Sequence, residues 1–213
     1  FTNKSFTIVG APAPTIALTA AASTRVHGAT GTFDVVVTSA SQAGANSLAE
    51  VAVAAGDTTI TVEPRSPGAG NSYTVAMDFN AAVTSGTASV VACNYWTGSA
   101  SAPCPASPTL GTVTFAGSRA SIPLTGVTNQ SRVQVRLSNV NAQGYNADMT
   151  VGFLIGDVTN SRAVNGTDAS QVSLKSGQTV SAANAKYDIT GNGGTINGTD
   201  ASQASLRSGT RLP

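Results

Sequence analysis

One fourteen-residue motif occurs twice near the carboxyl end of the chain, and it constrains the fold more than any other feature. Residues 164–177 read VNGTDASQVSLKSG and residues 196–209 read INGTDASQASLRSG, so eleven of fourteen positions are identical at an offset of 32 residues. In each copy a β-branched residue precedes Asn-Gly, and Thr-Asp then opens a short apolar-periodic segment that a glycine ends. The pattern predicts a duplicated turn-and-helix unit, with Thr167 and Thr199 as the N-cap residues.

An acidic residue and a polar loop precede each copy, and with them the motif resembles the dockerin family over residues 156–213. Dockerins are duplicated calcium-loop-and-helix modules that join secreted proteins to one another through a β-sandwich partner called cohesin. The resemblance implies a small α-helical module with a calcium-binding loop in each copy. Six side chains would stand at its ligand positions: Asp157, Asn165, Asp168, Asp188, Asn197 and Asp200.

Both loops depart from the family pattern at positions that matter for calcium. In the first loop Thr159 and Ser161 stand where Asn or Asp is usual, and Arg162 replaces the glycine of the sharp turn. In the second loop Asp188 and Asp200 are one residue too far apart, so this loop carries an insertion. Calcium takes about six to eight oxygen ligands, and its affinity rises with the number of carboxylates. Two carboxylates per loop predict weak calcium binding, or loops whose turns are held by side-chain hydrogen bonds to the backbone instead.

Composition restricts both the fold class and the partners. About a quarter of the residues are Ser or Thr, only 10% are charged, and the net charge is +1. Such a sequence disfavours long surface helices, suits β structure with many turns, and is common in secreted and surface-layer proteins. The small net charge offers no field that would attract nucleic acid or an anionic membrane. No apolar stretch is long enough to span a bilayer.

The only two cysteines, Cys93 and Cys104, flank a segment rich in Trp, Tyr, Gly, Ser and Pro that has no metal-binding spacing. A local disulfide that closes this loop is the favoured interpretation, and two free thiols are the alternative. A disulfide would require an oxidising compartment, which agrees with an extracellular or cell-surface location.

The rest of the chain is a succession of short strand patterns. Residues 1–10 alternate apolar and polar around Phe6 and Ile8, and the APAP that follows cannot continue a ladder of hydrogen bonds. Further strand patterns recur about every ten residues with no helix pattern between them, which predicts a mainly β, Ig-like antiparallel sandwich. The predicted strands are Ile16–Ala20, Thr24–Val26, Phe33–Thr38, Leu48–Ala54, Thr58–Glu63, Tyr73–Phe79, Thr87–Asn94, Gly111–Phe115, Ala120–Leu124, Arg132–Leu137 and Met149–Ile155.

These patterns divide the chain into three parts. An N-terminal strand with a Pro-rich spacer occupies residues 1–14, the sandwich residues 15–155, and the dockerin-like module residues 156–213. The sandwich and the module follow each other almost without a linker. We therefore expect them to pack on each other as one rigid unit.

The sequence contains no recognisable catalytic motif. The single histidine, His27, stands at a strand end before a turn, a position more typical of a hydrogen-bonded turn residue than of a catalyst or metal ligand. The carboxylates are scattered, so a glycosidase pair would be visible only in the folded protein. Tyr95 and Trp96 suit either a plug at the end of the core or a platform for sugar stacking. We expect a non-catalytic protein.

Two functions fit this combination of features. The first is a subunit of an extracellular fibre or surface appendage that assembles head to tail with copies of itself. Residues 1–10 would add to an open sheet edge of a neighbour, or the dockerin-like end would dock on the next sandwich. The alternative is an anchoring module that binds a cohesin-type domain or a glycan on behalf of a larger secreted protein.

Overall fold

The computed structural model describes residues 15–37, 40–43 and 60–213, the range 40–43 by its backbone alone. Within these ranges the protein is mainly β, with two six-stranded sheets followed by two short helices. The helices are α1 (Gly166–Ser173) and α2 (Gly198–Ser205), and a 3₁₀ turn lies between them at Ala185–Tyr187. The strands are β1 (Leu18–His27), β2 (Gly31–Val36), β3 (Ala40–Ala43), β4 (Thr61–Glu63), β5 (Tyr73–Phe79), β6 (Thr87–Trp96), β7 (Ser101–Pro103), β8 (Thr109–Leu110), β9 (Thr114–Ala116), β10 (Arg119–Thr125), β11 (Ser131–Val140) and β12 (Tyr145–Phe153).

The two sheets face each other and are almost wholly antiparallel. The first has the order β2-β1-β5-β10-β8, with β9 also paired to β10. The second has the order β3-β12-β11-β6-β7, with β4 also paired to β12. The pair β4–β12 is parallel, which departs from the predicted antiparallel pattern because both strands run towards the module. Among the described strands, β2 therefore forms one edge of the first sheet, and β4 lies at the neighbouring edge of the second.

The core lies between the two sheets and follows the predicted alternation. In β11, Val133, Val135 and Leu137 are buried and pack in one cluster with Val75 and Met77 of β5. Successive side chains of a strand point to opposite faces of the sheet, so every second residue of a strand that covers a core faces that core. The opposite face of β11 is not fully open to solvent, because Arg132 is buried there and donates a hydrogen bond to the carbonyl oxygen of Pro213.

Most predicted strands are present with shifted ends. The predicted strands Ile16–Ala20 and Thr24–Val26 form one continuous β1, with a register irregularity between Leu18 and Ala20. The predicted Gly111–Phe115 is replaced by the two short strands β8 and β9, because both pair with β10 at different places. The predicted Leu48–Ala54 and the N-terminal strand with Phe6 and Ile8 lie outside the described residues.

The disulfide between Cys93 and Cys104 is confirmed. Cys93 lies in β6 and Cys104 directly follows β7, and their Cα atoms are 5.4 Å apart. The backbone N–H of Cys104 also donates to the carbonyl oxygen of Cys93 at 2.9 Å, so the crosslink continues the hairpin that β6 and β7 form. The part of the chain between them is thereby fixed at the edge of the second sheet.

Candidate functional site

Each copy of the duplicated motif folds into a helix capped by an asparagine. The side-chain oxygen of Asn165 accepts the backbone N–H of Thr167 at 2.8 Å, and the carboxylate of Asp168 accepts the backbone N–H of Asn165 at 2.9 Å. This reciprocal pair is a capping box, which needs the acidic residue three positions after the cap. The second copy repeats it at α2. The predicted threonine caps, Thr167 and Thr199, are therefore wrong by two residues.

In the first loop, hydrogen bonds to two aspartates hold the backbone in place. Asp157 accepts the backbone N–H groups of Ser161 at 2.9 Å and of Arg162 at 2.6 Å. The hydroxyl oxygen of Thr159 lies 3.2 Å from Oδ1 of Asp157 and 2.8 Å from Oδ1 of Asp168, so it bridges the two carboxylates. The threonine that departs from the calcium-loop pattern thus ties the start of the loop to the helix that follows it.

The second loop repeats this arrangement around a different set of donors. The hydroxyl oxygen of Thr190 lies 3.1 Å from Oδ1 of Asp188 and 2.9 Å from Oδ1 of Asp200. Asp188 also accepts the backbone N–H groups of Gly191 at 3.0 Å and of Gly193 at 2.9 Å. The glycine-rich insertion therefore folds around the first aspartate of its own loop.

The carboxylates of both loops already take part in hydrogen bonds within the protein. In both loops each aspartate oxygen accepts at least one hydrogen bond from an N–H or O–H group. Asn165 and Asn197 use their side-chain oxygens to cap the helices. In the described ranges no group of three or more His, Cys, Asp or Glu side chains is placed to hold a metal. Calcium binding by these loops stays a prediction.

A buried chain of polar side chains joins the second loop to the sandwich. His27, the last residue of β1, is fully buried; its Nδ1 lies 2.7 Å from Oδ2 of Asp188 and its Nε2 lies 2.9 Å from Nη1 of Arg65. Arginine nitrogens only donate, so Nε2 must accept and the proton must sit on Nδ1, where it is donated to Asp188. His27 is therefore a neutral imidazole that relays a hydrogen bond between a guanidinium and a carboxylate.

The chain continues from Arg65 into the core of the sandwich. Arg65 is fully buried and donates from Nε and Nη2 to the two carboxylate oxygens of Glu63 at 2.7 and 2.6 Å. It also donates to the carbonyl oxygens of Phe33 and Ser23, each at 2.9 Å. Burial alone would raise the pKa of the Glu63 carboxyl, but the charge and hydrogen bonds of Arg65 outweigh it and hold that pKa below its ordinary value. The ion pair of Glu63 and Arg65 therefore has no net charge, and all the N–H groups of the guanidinium donate hydrogen bonds. It lies at the contact between sandwich and module, which we call the joint.

Close backbone contacts complete the joint. A Cβ atom on Gly28 would lie 2.1 Å from the carbonyl oxygen of Asn192, and one on Gly193 would lie 2.2 Å from the carbonyl oxygen of His27. Both glycines have positive φ, 50° and 74°, which side chains rarely allow. The N–H of Gly194 donates to the hydroxyl of Thr30 at 2.6 Å. The stretch that lengthens the second loop is therefore the part that contacts the turn between β1 and β2.

The equivalent aspartates of the two loops have opposite pKa shifts. Burial raises the pKa of Asp157, and the nearby carboxylate of Asp168 adds to the rise, although hydrogen bonds from the loop oppose it. Burial would also raise the pKa of Asp188, but hydrogen bonds from His27, Gly193 and Thr190 outweigh it, and this pKa is lowered. Docking on the sandwich therefore distinguishes two loops that the sequence makes nearly alike.

The end of the chain returns to the sandwich. The guanidinium carbon of Arg211 lies 3.9 Å from the ring centroid of Trp96, and Leu212 is buried against Val62 and Leu154. One face of Trp96 is thus covered by a cation from the module, which favours a structural role over a sugar platform.

The exposed surface of the module carries one duplicated apolar feature. Leu174 and Leu206, the C-cap residues of α1 and α2, are 71% and 77% exposed. Each is followed by a basic residue, Lys175 or Arg207. The two leucines are single exposed apolar side chains at equivalent positions of the two copies.

Comparison of the chain with known protein families, curated proteins and solved structures gives no match. In the part of the chain that the structure describes, no helix is both long and apolar enough to cross a membrane.

We predict that His27→Ala destabilises the protein by about 3 kcal/mol or more, because it leaves Asp188 and Arg65 buried without the group between them. Urea unfolding measures the change. The matched control is Val26→Ala on the same strand, where the side chain is 61% exposed and the expected loss is under about 1 kcal/mol. Equal losses in the two variants would contradict a structural role for the relay.

We predict that Asp188→Asn and Asp157→Asn change the acid dependence of stability in opposite directions. Ionised Asp188 contributes stability above its unfolded pKa of about 3.9, and this contribution is lost as the pH falls through its lower folded pKa. Ionised Asp157 costs stability, and the cost is relieved as the pH falls below its raised folded pKa. Unfolding free energies over roughly pH 2 to 6 should rise less steeply with pH in Asp188→Asn and more steeply in Asp157→Asn. Parallel shifts would show that docking does not separate the two aspartates.

We predict that millimolar calcium gives weak heat or none in isothermal titration, and that calcium and a chelator give the same melting temperature. The reason is that the aspartate oxygens already accept hydrogen bonds within the loops. A saturable heat that disappears in Asp157→Asn or Asp188→Asn would instead show that the loops rearrange to bind the ion.

Proposed function

We propose that the protein is a non-catalytic structural subunit of an extracellular fibre or surface appendage, whose copies assemble head to tail. The observation that carries this proposal is the placement of the two ends of the sandwich. Thr15, to which residues 1–14 are joined, lies at one pole, and the C-terminal module of residues 156–213 lies at the other. A subunit built this way carries a different attachment at each end.

Hydrogen bonds fix the pole from which residues 1–14 depart. The N–H of Ala17 donates to Oδ1 of Asn80 at 2.8 Å, and the side-chain amide of Asn80 donates to the carbonyl oxygen of Thr15 at 3.1 Å. The N–H of Ile16 donates to Oε1 of Gln143, in the turn between β11 and β12, at 3.4 Å. The first described residues are therefore held where β5 ends and β12 begins.

The module lies at the opposite pole. β1 runs from Leu18 near the first pole to His27, which contacts Asp188 of the module. Ten residues at a rise of about 3.3 Å each separate the two ends of this strand by about 30 Å. A fully extended segment of fourteen residues spans up to roughly 45–50 Å, enough to reach well beyond its own sandwich.

The joint makes sandwich and module a rigid body, which a load-bearing subunit needs. The hydrogen-bonded series from Glu63 through Arg65 and His27 to Asp188 is buried. Separating the two parts would therefore leave charged side chains without their hydrogen-bond partners. The contact of Arg211 with Trp96 adds a second attachment. Contacts between unlike surfaces that do not close into a ring produce filaments.

The second candidate is an anchoring module for a cohesin-type domain or a glycan. The two exposed leucines, Leu174 and Leu206, favour it, because they offer the same apolar side chain and a basic neighbour on both helices. In this case the protein would be a monomer that binds a separate partner. Size-exclusion chromatography at two concentrations distinguishes a monomer from a polymer.

We predict that the purified protein forms filaments visible by negative-stain electron microscopy, and that deletion of residues 1–10 abolishes them. Phe6→Asp with Ile8→Asp should have the same effect, because it places charge on the apolar face of the strand. Ser5→Asp with Thr7→Asp, on the other face of the same segment, is the matched control and should still polymerise.

Other outcomes separate the two modes of contact. Filaments that survive the deletion but disappear in Leu174→Asp with Leu206→Asp would exclude strand donation and assign assembly to docking of the module. A wild-type protein that stays monomeric at all concentrations would contradict the fibre and favour the anchoring module.

A further inference from the structure

We infer that the acceptor of the N-terminal strand is the open seam between β2 and β4, where residues 1–10 of a second copy bind along the edge of β2. This inference rests on the proposed function, because it names the surface on which the next subunit's strand would lie. It follows from the backbone of β2, from the groove beside it and from the alternation in residues 1–10.

The backbone of β2 has one edge that faces away from its own sheet. The N–H of Val37, directly after β2, donates to the carbonyl oxygen of Ala21 at 2.7 Å. Bonded and non-bonded residue pairs alternate along an antiparallel ladder, and the register of β1 with β2 has no shift. The N–H and C=O groups of Thr32, Asp34 and Val36 therefore point away from β1. Among the described strands none pairs with this edge.

A groove of about 310 Å³ runs beside this edge, between β2, β4 and the module. Its apolar wall is formed by Val35, Val62, Pro64 and Val158. The N–H of Val62 is already bonded, to Oδ1 of Asn160 at 2.6 Å. The edge of β4 is thus occupied at its centre, and an added strand would take its hydrogen bonds from β2.

Residues 1–10 match this groove in their alternation of apolar and polar side chains. In an extended strand Lys4, Phe6 and Ile8 share one face, while Ser5 and Thr7 share the other. Phe6 and Ile8 would enter the apolar groove, and Lys4, on the same face, would lie towards the carboxylate of Asp157 that borders it. Ser5 and Thr7 would then join the outer face of the first sheet, which carries Asp34 and the 64% exposed Val36.

We infer that the bound strand comes from a second copy and not from the same chain, because of the Pro-rich spacer and because Thr15 and the module lie at opposite poles of the sandwich. Residues 11–14 read APAP, which favours an extended, stiff segment of about 3.1 Å per residue. Such a segment attached at Thr15 would be long enough to carry the strand off its own sandwich and towards the module end of a neighbour. Residues 44–59, which lead into β4, are the competing occupant, and the experiment separates the two.

The first test uses a proline that removes only the outward N–H. Val36→Pro takes away a donor that does not serve the β1–β2 ladder, whereas Val36→Thr keeps the donor and the β-branched shape. We expect Val36→Pro to abolish filaments with little change in its urea midpoint, and Val36→Thr to polymerise. A Val36→Pro protein that polymerises like wild type would overturn the inference. So would one whose urea midpoint falls strongly, because the edge would then be bonded within the subunit, as pairing with residues 44–59 requires.

The second test is a crosslink between copies. Chains carrying Thr7→Cys are mixed with chains carrying Val36→Cys and oxidised, because directly paired positions on one face of two strands have the Cβ spacing of a disulfide. Ser5→Cys covers a register shifted by two residues. We expect a crosslinked dimer in one of these mixtures and none when Thr114→Cys, on β9 at the other edge of the same sheet, replaces Val36→Cys.

The results of these tests distinguish a wrong acceptor surface from a wrong function. Filaments without the crosslink in either register would overturn the β2 seam as the acceptor and leave head-to-tail assembly standing. Absence of filaments in the wild-type chain would overturn both. A crosslink that forms only within a chain carrying both cysteines, and never between two chains, would place the strand on its own subunit and overturn the exchange between copies.

Discussion

A neutral imidazole lies at the centre of the contact between the two parts of the molecule. His27 accepts from Arg65 and donates to Asp188, so it bonds to both only while sandwich and module are docked. Burying a carboxylate or a guanidinium is costly unless each is paired and hydrogen-bonded. Separation of the two parts would leave Asp188 of the module without His27, and Arg65 of the sandwich with Glu63 as its remaining charged partner. The module is therefore part of the body of the protein, rather than an adapter on a tether.

The duplicated loops show how packing gives different properties to similar sequences. Both copies keep the threonine that bridges two aspartates and the asparagine that caps the helix. The second loop carries extra glycine, and this allows its backbone to approach the carbonyl oxygen of His27 more closely than a side chain would permit. The first loop instead borders a groove, where burial raises the pKa of Asp157. An insertion of one residue thus separates a docking loop from a loop that borders an open surface.

Local sequence patterns predicted the parts of this structure that depend on neighbours in the chain. β5 has the bounds Tyr73–Phe79 that alternation indicated, and the local disulfide between Cys93 and Cys104 is present. The pairing of His27 with Asp188 joins residues 161 positions apart, so no window of sequence reveals it. The asparagine caps were within reach of the sequence, because each precedes an aspartate by three residues. The outward-facing edge of β2 could be identified only from the register of β1 with β2, which composition and periodicity do not specify.

The rigid joint and the seam between β2 and β4, which no other described strand fills, are two consequences of one arrangement. Val158 and Asn160 of the first loop and Lys186 of the 3₁₀ turn form one wall of the groove, and β2 and β4 form the others. Asn160 also bonds the backbone of Val62, which fixes that wall to the second sheet. If the module were not fixed to the sandwich, the groove would lose the wall that the module forms. The proposed strand of a neighbour could then contact only the edge of β2. In the proposed fibre, the relay through His27 would position the surface that receives the next subunit, so the stability of the joint and the strength of the fibre contact would depend on the same buried hydrogen bonds.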